Sequence, residues 1–182
     1  MPALSSPGSL TLFRYCSYDT PFWVLKNTRS GRWHVTGDEP TQYWSSSPDA
    51  AWAELIRAER LRTEEELDLV RMPIWVCRFP SSGLLDLLSP GTQRTAMISE
   101  ADLIADDWTS CQKLGAEIRE SYEGVVTPCA ALDGHANVTI FGPRRMIDWR
   151  KRAALASAVP ACIASLGRPR PDLVQDVRHK TA

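Results

Sequence analysis

The chain has 182 residues, enough for one domain that buries a core without metal or disulfide staples. A hydrophobic share of 43% beside a charged share of 24% fits a globular protein. A formal net charge of -1 removes the basic excess on which general nucleic-acid binding depends. Polar residues break every apolar run short of membrane-spanning length, and Met1 to Ser9 lacks the basic-then-apolar layout of a secretory signal, so the sequence predicts a cytoplasmic protein. Five scattered cysteines (Cys16, Cys77, Cys111, Cys129 and Cys162) form no CxxC pair and no Cys/His cluster. Reduced thiols and no metal site are the reading.

The expected organisation is a flexible leader over 1–9, a catalytic domain over 10–166 and a loosely held tail over 167–182, where Pro169 and Pro171 interrupt regular structure. Leu10–Cys16 has the aromatic and β-branched character of a first strand. Short extended pieces follow at Phe22–Leu25 and Trp33–Val35, with turn chemistry at Asn27–Gly31, and a fuller strand at Gln42–Ser45. Ser47-Pro48-Asp49 marks a helix start, in which a hydroxyl caps free amides, proline fits the first turn and aspartate meets the positive end of the dipole. That helix should reach about Arg60 and bury Ala51, Leu55, Ala58 and Trp52. The acidic run Glu64–Asp68 either extends it or forms a loop.

Further along, Pro73–Phe79 reads as a buried strand and Leu84–Leu87 as a weaker one. Asp106 or Asp107 can cap a helix from Trp108 to about Ser121. Gly124–Thr127 and Val138–Phe141 pair as strands about an Asp133-Gly134 turn, and a third helix spans about Trp149–Leu166, kinked at Pro160. Strands outnumber helices without regular alternation. The expected class is α+β, one compact domain with a mixed β-sheet flanked by helices.

The residues able to carry chemistry concentrate between positions 14 and 54. Arg14 and Tyr15 are neighbours on the first strand, so their side chains should point to opposite faces. Arg32 follows Gly31, and two guanidiniums brought to one cleft would suit a pyrophosphate through paired charge-assisted hydrogen bonds. Trp33 and Tyr43 can stack on flat rings or fill the core. Glu54, among the apolar residues of the capped helix, can stabilise a developing sugar cation if it faces that cleft, and is otherwise a solvated helix acid. Cys129 with His34 or His135 could form a thiol nucleophile and base, but a pocket-lining or buried cysteine fits as well. Gly142-Pro143-Arg144-Arg145, with Arg150, Lys151 and Arg152, is a basic stretch suited to a solvated or protein-contact face.

Taken together, Phe13-Arg14-Tyr15, Gly31-Arg32-Trp33-His34, Tyr43, Ala51-Trp52-Ala53-Glu54, Asp106-Asp107-Trp108 with Cys111-Gln112, and Gly124-Val-Val-Thr-Pro-Cys-Ala resemble the RES domain family of bacterial toxins in order and spacing. The resemblance implies a fold similar to ADP-ribosyltransferases and an enzyme that cleaves the nicotinamide–ribose bond of NAD by phosphorolysis or hydrolysis. It also implies neutralisation by an Xre-like helix-turn-helix antitoxin that blocks the cleft. NAD is then a substrate, inorganic phosphate a co-substrate, and no separate cofactor is needed. By position, Arg14, Arg32, Tyr43 and Glu54 look like catalytic residues, and Tyr15, Trp33, His34, Ser45 and Cys129 like substrate-binding ones. The chain departs from the family at His34, where asparagine is usual, and at Cys129, where serine is usual. Two alternatives are transfer of ADP-ribose to a protein, and a non-catalytic module that binds a nucleotide or a protein.

Overall fold

The structure is a computed structural model, and it describes residues 8–17, 21–22, 25–142 and 162–180. It is an α+β fold built on one mixed seven-stranded sheet of order β4-β5-β6-β2-β1-β3-β7. The strands are β1 (Ser9–Tyr15), β2 (Thr41–Ser45), β3 (Met72–Pro80), β4 (Leu84–Asp86), β5 (Gly124–Pro128), β6 (Ala136–Phe141) and β7 (Cys162–Gly167). Only β4 and β5 run parallel; the other neighbours are antiparallel.

The sheet is unevenly knit. Strand β1 meets β3 at seven register positions and β2 meets β6 at five, but β1 meets β2 only at Phe13↔Ser45. Two well-paired halves, β3/β1 with β7 and β2/β6/β5 with β4, are therefore joined at a seam. A seam with few ladder hydrogen bonds leaves room for a groove between the halves.

Helices α1 (Pro48–Glu59), α2 (Glu64–Asp68), α3 (Pro90–Thr95), α4 (Glu100–Ile104), α5 (Thr109–Ile118) and α6 (Leu173–Asp176) cover one face. Over the β1/β3 half, Trp52, Leu55, Ile56, Leu67, Leu173, Val174 and Val177 form a core that Tyr15 and Ile74 join. Over the other half, Leu85, Leu103, Cys111, Leu114, Ile118, Val125 and Phe141 form a second. A third core on the opposite face takes the alternate residues, among them Leu12, Trp44, Cys77, Leu84, Val126 and Val138. The period of two along β4 and β5 divides Leu84 from Leu85 and Val126 from Val125 in this way.

Helix α1 matches its sequence signals. Ser47 Oγ accepts from the Ala50 amide, Pro48 and Asp49 stand in the first turn, and Arg60 ends the helix in the left-handed region. The acidic run becomes the separate helix α2, closed by a capping box between Thr63 and Glu66. In the helix after Asp107, that carboxylate accepts from the Thr109 amide, whereas Asp106 is drawn away to Arg57.

Other expectations are corrected. Trp33–Val35 is not a strand but a tight turn closed by the Gly31↔His34 bridge. Residues 162–166, expected as the end of a third helix, form β7 against β3; the rest of that helix and the basic stretch from Pro143 to Arg152 lie outside the described residues. The first strand starts at Ser9, inside the expected leader, and residues 1–7 lie outside the described set. The tail is not loosely held. Leu173 is fully buried, Val174 and Val177 nearly so, and the Arg178 amide donates to the Ala131 carbonyl. Its apolar residues Leu173, Val174 and Val177, spaced for one helical face, outweigh the two prolines. Cys77 is disulfide-bonded rather than reduced and stands opposite Cys162 in the register, while Cys111 and Cys129 are free thiols. No helix among the described residues is long and apolar enough to cross a membrane.

Candidate active site

A cleft of about 340 Å³ opens over the β1/β2 seam. Its floor follows from strand register. Tyr43 opposes Thr139 and Ser45 opposes Asn137, which in turn opposes Thr127, so these alternate residues share one face with Phe13 and Tyr15. All of them border the cleft. Helix α1 supplies one wall through Ala51, Glu54 and Ala58, which recur at helical spacing on one side. The two alanines flank Glu54 with small side chains, so a ligand can approach the carboxylate. Ala58, expected in the core, is exposed to this space.

Glu54 is the only acidic residue bordering the cleft among the described residues. Its Oε1 accepts from Asn137 Nδ2 at 2.6 Å and from the Cys129 thiol at 3.5 Å. Asn137 is fixed in turn by Ser45, whose hydroxyl donates to Asn137 Oδ1 at 3.0 Å. Ser45, Asn137 and Glu54 thus form a directed chain that sets the carboxylate's orientation. Burial, and then the Glu54 charge, push the Cys129 thiol up to about 12. A protonated, buried thiol is no nucleophile. Cys129, expected among the lining residues, does not border the cleft; it sits behind Glu54 as a donor. Burial and the same carboxylate raise the Tyr15 phenol to about 12, so it remains a neutral donor at ordinary pH.

Arg32 borders the cleft from the 31–34 turn. Its Nη1 donates to the Leu103 and Ala105 carbonyls at 2.9 and 2.8 Å, at the C-terminal end of α4. Cations are stabilised at a helix C-terminus, where carbonyls lack intrahelical partners. Arg57, not singled out from the sequence, reaches the same end. It donates to the Ala130 carbonyl, to the Ile104 carbonyl at 3.4 Å and to Asp106 at 2.7 Å, and is nearly buried. The converging guanidiniums are therefore Arg32 and Arg57. Arg14 borders the cleft at the seam, but its guanidinium turns to the Pro21 carbonyl, Gln42 Oε1 and the Trp44 ring on the far side of the sheet. Arg14 and Tyr15 do point to opposite faces, as strand geometry requires.

Tyr43 lends its ring to the cleft, but its hydroxyl turns into the protein. It accepts from the Trp33 amide at 3.0 Å and lies 2.8 Å from His34 Nδ1. The other imidazole nitrogen is 3.0 Å from the Arg29 carbonyl, which can only accept, so Nε2 carries the proton and Nδ1 accepts from Tyr43. His34, expected at the substrate, is instead buried behind the cleft lining, where it holds the Tyr43 hydroxyl. Trp33 touches the cleft while its side chain fills the core, with 1% exposure. Trp108 borders the cleft, and Lys180 lies over its ring at 5.6 Å.

The lining thus holds Arg32, Arg57 and Lys180 against one carboxylate, while the Arg14 charge is turned to the far side of the sheet. Such a surface favours an anionic ligand and sets one negative charge at a defined point within it. Arg57 was traceable in principle, standing one helical turn after Glu54. Asn137 was not, because only the β2/β6 register brings it to Glu54.

Comparison with solved structures finds the Mycobacterium tuberculosis MbcT-MbcA toxin-antitoxin complex, with a TM-score of 0.68 and 21% identity over 94% of this chain and 90% of the matched chain. The chain shares the MbcT toxin fold. Among curated proteins, Probable NAD(+) phosphorylase Rv3189 of M. tuberculosis is 29% identical over 117 residues, 61% of this chain. The matched region spans about half of that relative, 53% of its length. No family model matches. The structural comparison bears out the expected α+β fold.

Proposed function

We propose that this protein is a toxin that consumes NAD by breaking its nicotinamide–ribose bond, with phosphate as the preferred acceptor. The observation that carries the reading is Glu54: one acid, held by Asn137 between two alanines, in a cleft whose other charged lining residues are all cations. The name of the mycobacterial relative, a probable NAD(+) phosphorylase, favours phosphate over water.

In the proposed reaction the C–N bond between ribose and nicotinamide breaks, and its electron pair neutralises the pyridinium as nicotinamide leaves. Glu54 stabilises the positive charge that develops on the ribose. A phosphate oxygen forms the new bond to the anomeric carbon, giving ADP-ribose 1-phosphate; water in its place gives ADP-ribose and a proton. Arg32 holds an anionic phosphate group with the part of its planar fork not committed to α4. Arg14 supports the seam beneath the substrate. The rings of Tyr15 and Tyr43 pack against nicotinamide and ribose. No resident cofactor enters the scheme.

As a toxin, the protein acts on the NAD pool of the cytoplasm and is restrained by a helix-turn-helix antitoxin that covers the cleft. The MbcT-MbcA structure, a toxin-antitoxin complex on this same fold, supports that partner. The decisive experiment measures nicotinamide release from NAD by the purified protein, with and without phosphate. Release that rises with phosphate and yields ADP-ribose 1-phosphate is expected. Glu54→Gln should lower kcat by at least about 100-fold, in line with the loss of a transition-state electrostatic contact. Undiminished turnover in Glu54→Gln would reject the assignment.

A further inference from the structure

The segment from Arg170 to Lys180 is anchored at several points and brings Lys180 to the cleft. Leu173, Val174 and Val177 pack into the core beside α1, and Arg170 pairs with Asp49 at the start of that helix. Arg178 donates to the Cys129 carbonyl at 3.2 Å and pairs with Asp133. The Lys180 carbonyl accepts from Arg62 at 3.3 Å. This places the Lys180 ammonium over Trp108, with both side chains bordering the cleft.

The four cleft cations are not equivalent. Arg57 is paired with Asp106 and buried, Arg32 spends Nη1 on two carbonyls, and Arg14 turns beneath the sheet. Among the described residues, Lys180 has neither a carboxylate within ion-pair distance nor a side-chain hydrogen bond; its ammonium rests on an indole face. An ammonium on an aromatic ring keeps its charge and its three N–H donors for a second partner. Its backbone is fixed, so little freedom is lost when it engages a ligand.

We infer that Lys180 is a substrate-binding residue that recruits a phosphate group into the cleft. The inference rests on the NAD-cleaving reading for the ligand's identity, and the group has two possible sources: the pyrophosphate of NAD or free inorganic phosphate. Lys180 contributes charge rather than chemistry, so its removal acts on binding and not on bond cleavage.

The test compares wild type with Lys180→Met, Lys180→Arg and Lys113→Met, the last removing an exposed lysine of α5 away from the cleft. Steady-state nicotinamide release is measured while NAD and phosphate are varied separately. Lys180→Met should raise KM for one of the two by about tenfold with kcat within about twofold, the signature of lost uniform binding. Lys180→Arg should recover most of the loss, and Lys113→Met should match wild type. A rise confined to NAD identifies the pyrophosphate, and a rise confined to phosphate identifies the co-substrate. Unchanged KM for both in Lys180→Met overturns the inference. Calorimetric titration with inorganic pyrophosphate separates the two readings. If wild type releases no nicotinamide, the proposed function fails, and a loss of pyrophosphate affinity in Lys180→Met, absent in Lys113→Met, still upholds Lys180 as the anion site. Equal affinities in all four proteins reject it.

Discussion

At the scale of single residues, the carboxylate of Glu54 is useful only in one orientation, and Asn137 sets it. Because Ser45 holds the amide oxygen, the amide nitrogen is left facing Glu54. Asn137→Ala should therefore lower kcat by about 10- to 100-fold while KM for NAD changes little, as expected when an interaction matters mainly in the transition state. A variant with wild-type kcat would show that Glu54 keeps its pose unaided. His34 acts through pH. Burial lowers its pKa below the usual histidine value, so the unfolded chain binds the proton more readily than the folded one. The stability this gives is complete above the unfolded pKa near 6.5 and is lost as pH falls through the folded value. The melting temperature should fall as pH drops below about 7, and His34→Gln should flatten that slope. An unchanged pH slope in His34→Gln would point to other groups. Protonation would also oblige Tyr43 to redirect its hydroxyl, coupling the acid response to the cleft.

At the scale of elements, one face of α5 grips the turn that carries Arg32. Gln112 Nε2 donates to the Gly31 carbonyl at 2.9 Å and Arg119 Nη2 to the Trp33 carbonyl at 3.0 Å, while Gly115 lies between them. A Cβ on Gly115 would stand 2.8 Å from the Trp33 carbonyl oxygen, which is backbone and cannot swing aside. Alanine normally strengthens a helix by about 1 kcal/mol over glycine. Here Gly115→Ala should instead lower the melting temperature by several degrees and raise KM for NAD, because the turn must retreat; a higher melting temperature would contradict this packing. The same elements show what could be read beforehand. The Ser47-Pro48-Asp49 cap and the strands at β1, β2, β3, β5 and β6 carry local signals, namely side-chain caps and period-two burial. Helices α3 and α4 were missed, since six- and five-residue helices offer too few turns for an apolar period. Trp33–Val35 misled because β-rich residue types there serve a turn stabilised by the distant side chains of Gln112 and Arg119.

For the whole molecule, the site depends on parts far apart in sequence: β1, the 31–34 turn, α1, Asn137 and the final residues. Glu54 and Arg32 were legible because their motifs are local, whereas Arg57, Asn137 and Lys180 gain meaning only from tertiary placement. The tail is the clearest case, since its apolar residues are few and appear significant only against α1. If Leu173 is core, as its burial indicates, Leu173→Ala should cost about 2–5 kcal/mol in a denaturant titration. A cost near zero would return the segment to the status of a loose end.

The position of Lys180 has a practical corollary for handling the protein. A peptide joined to the chain just beyond Lys180 would emerge at the mouth of the cleft, because the Lys180 side chain borders it. Histidine tracts or acidic linkers placed there would compete with ligand for the same cationic entrance and could mimic a restrained enzyme. Purification handles therefore belong at the amino end, and activity recorded from carboxy-tagged material should be checked after the tag is cleaved.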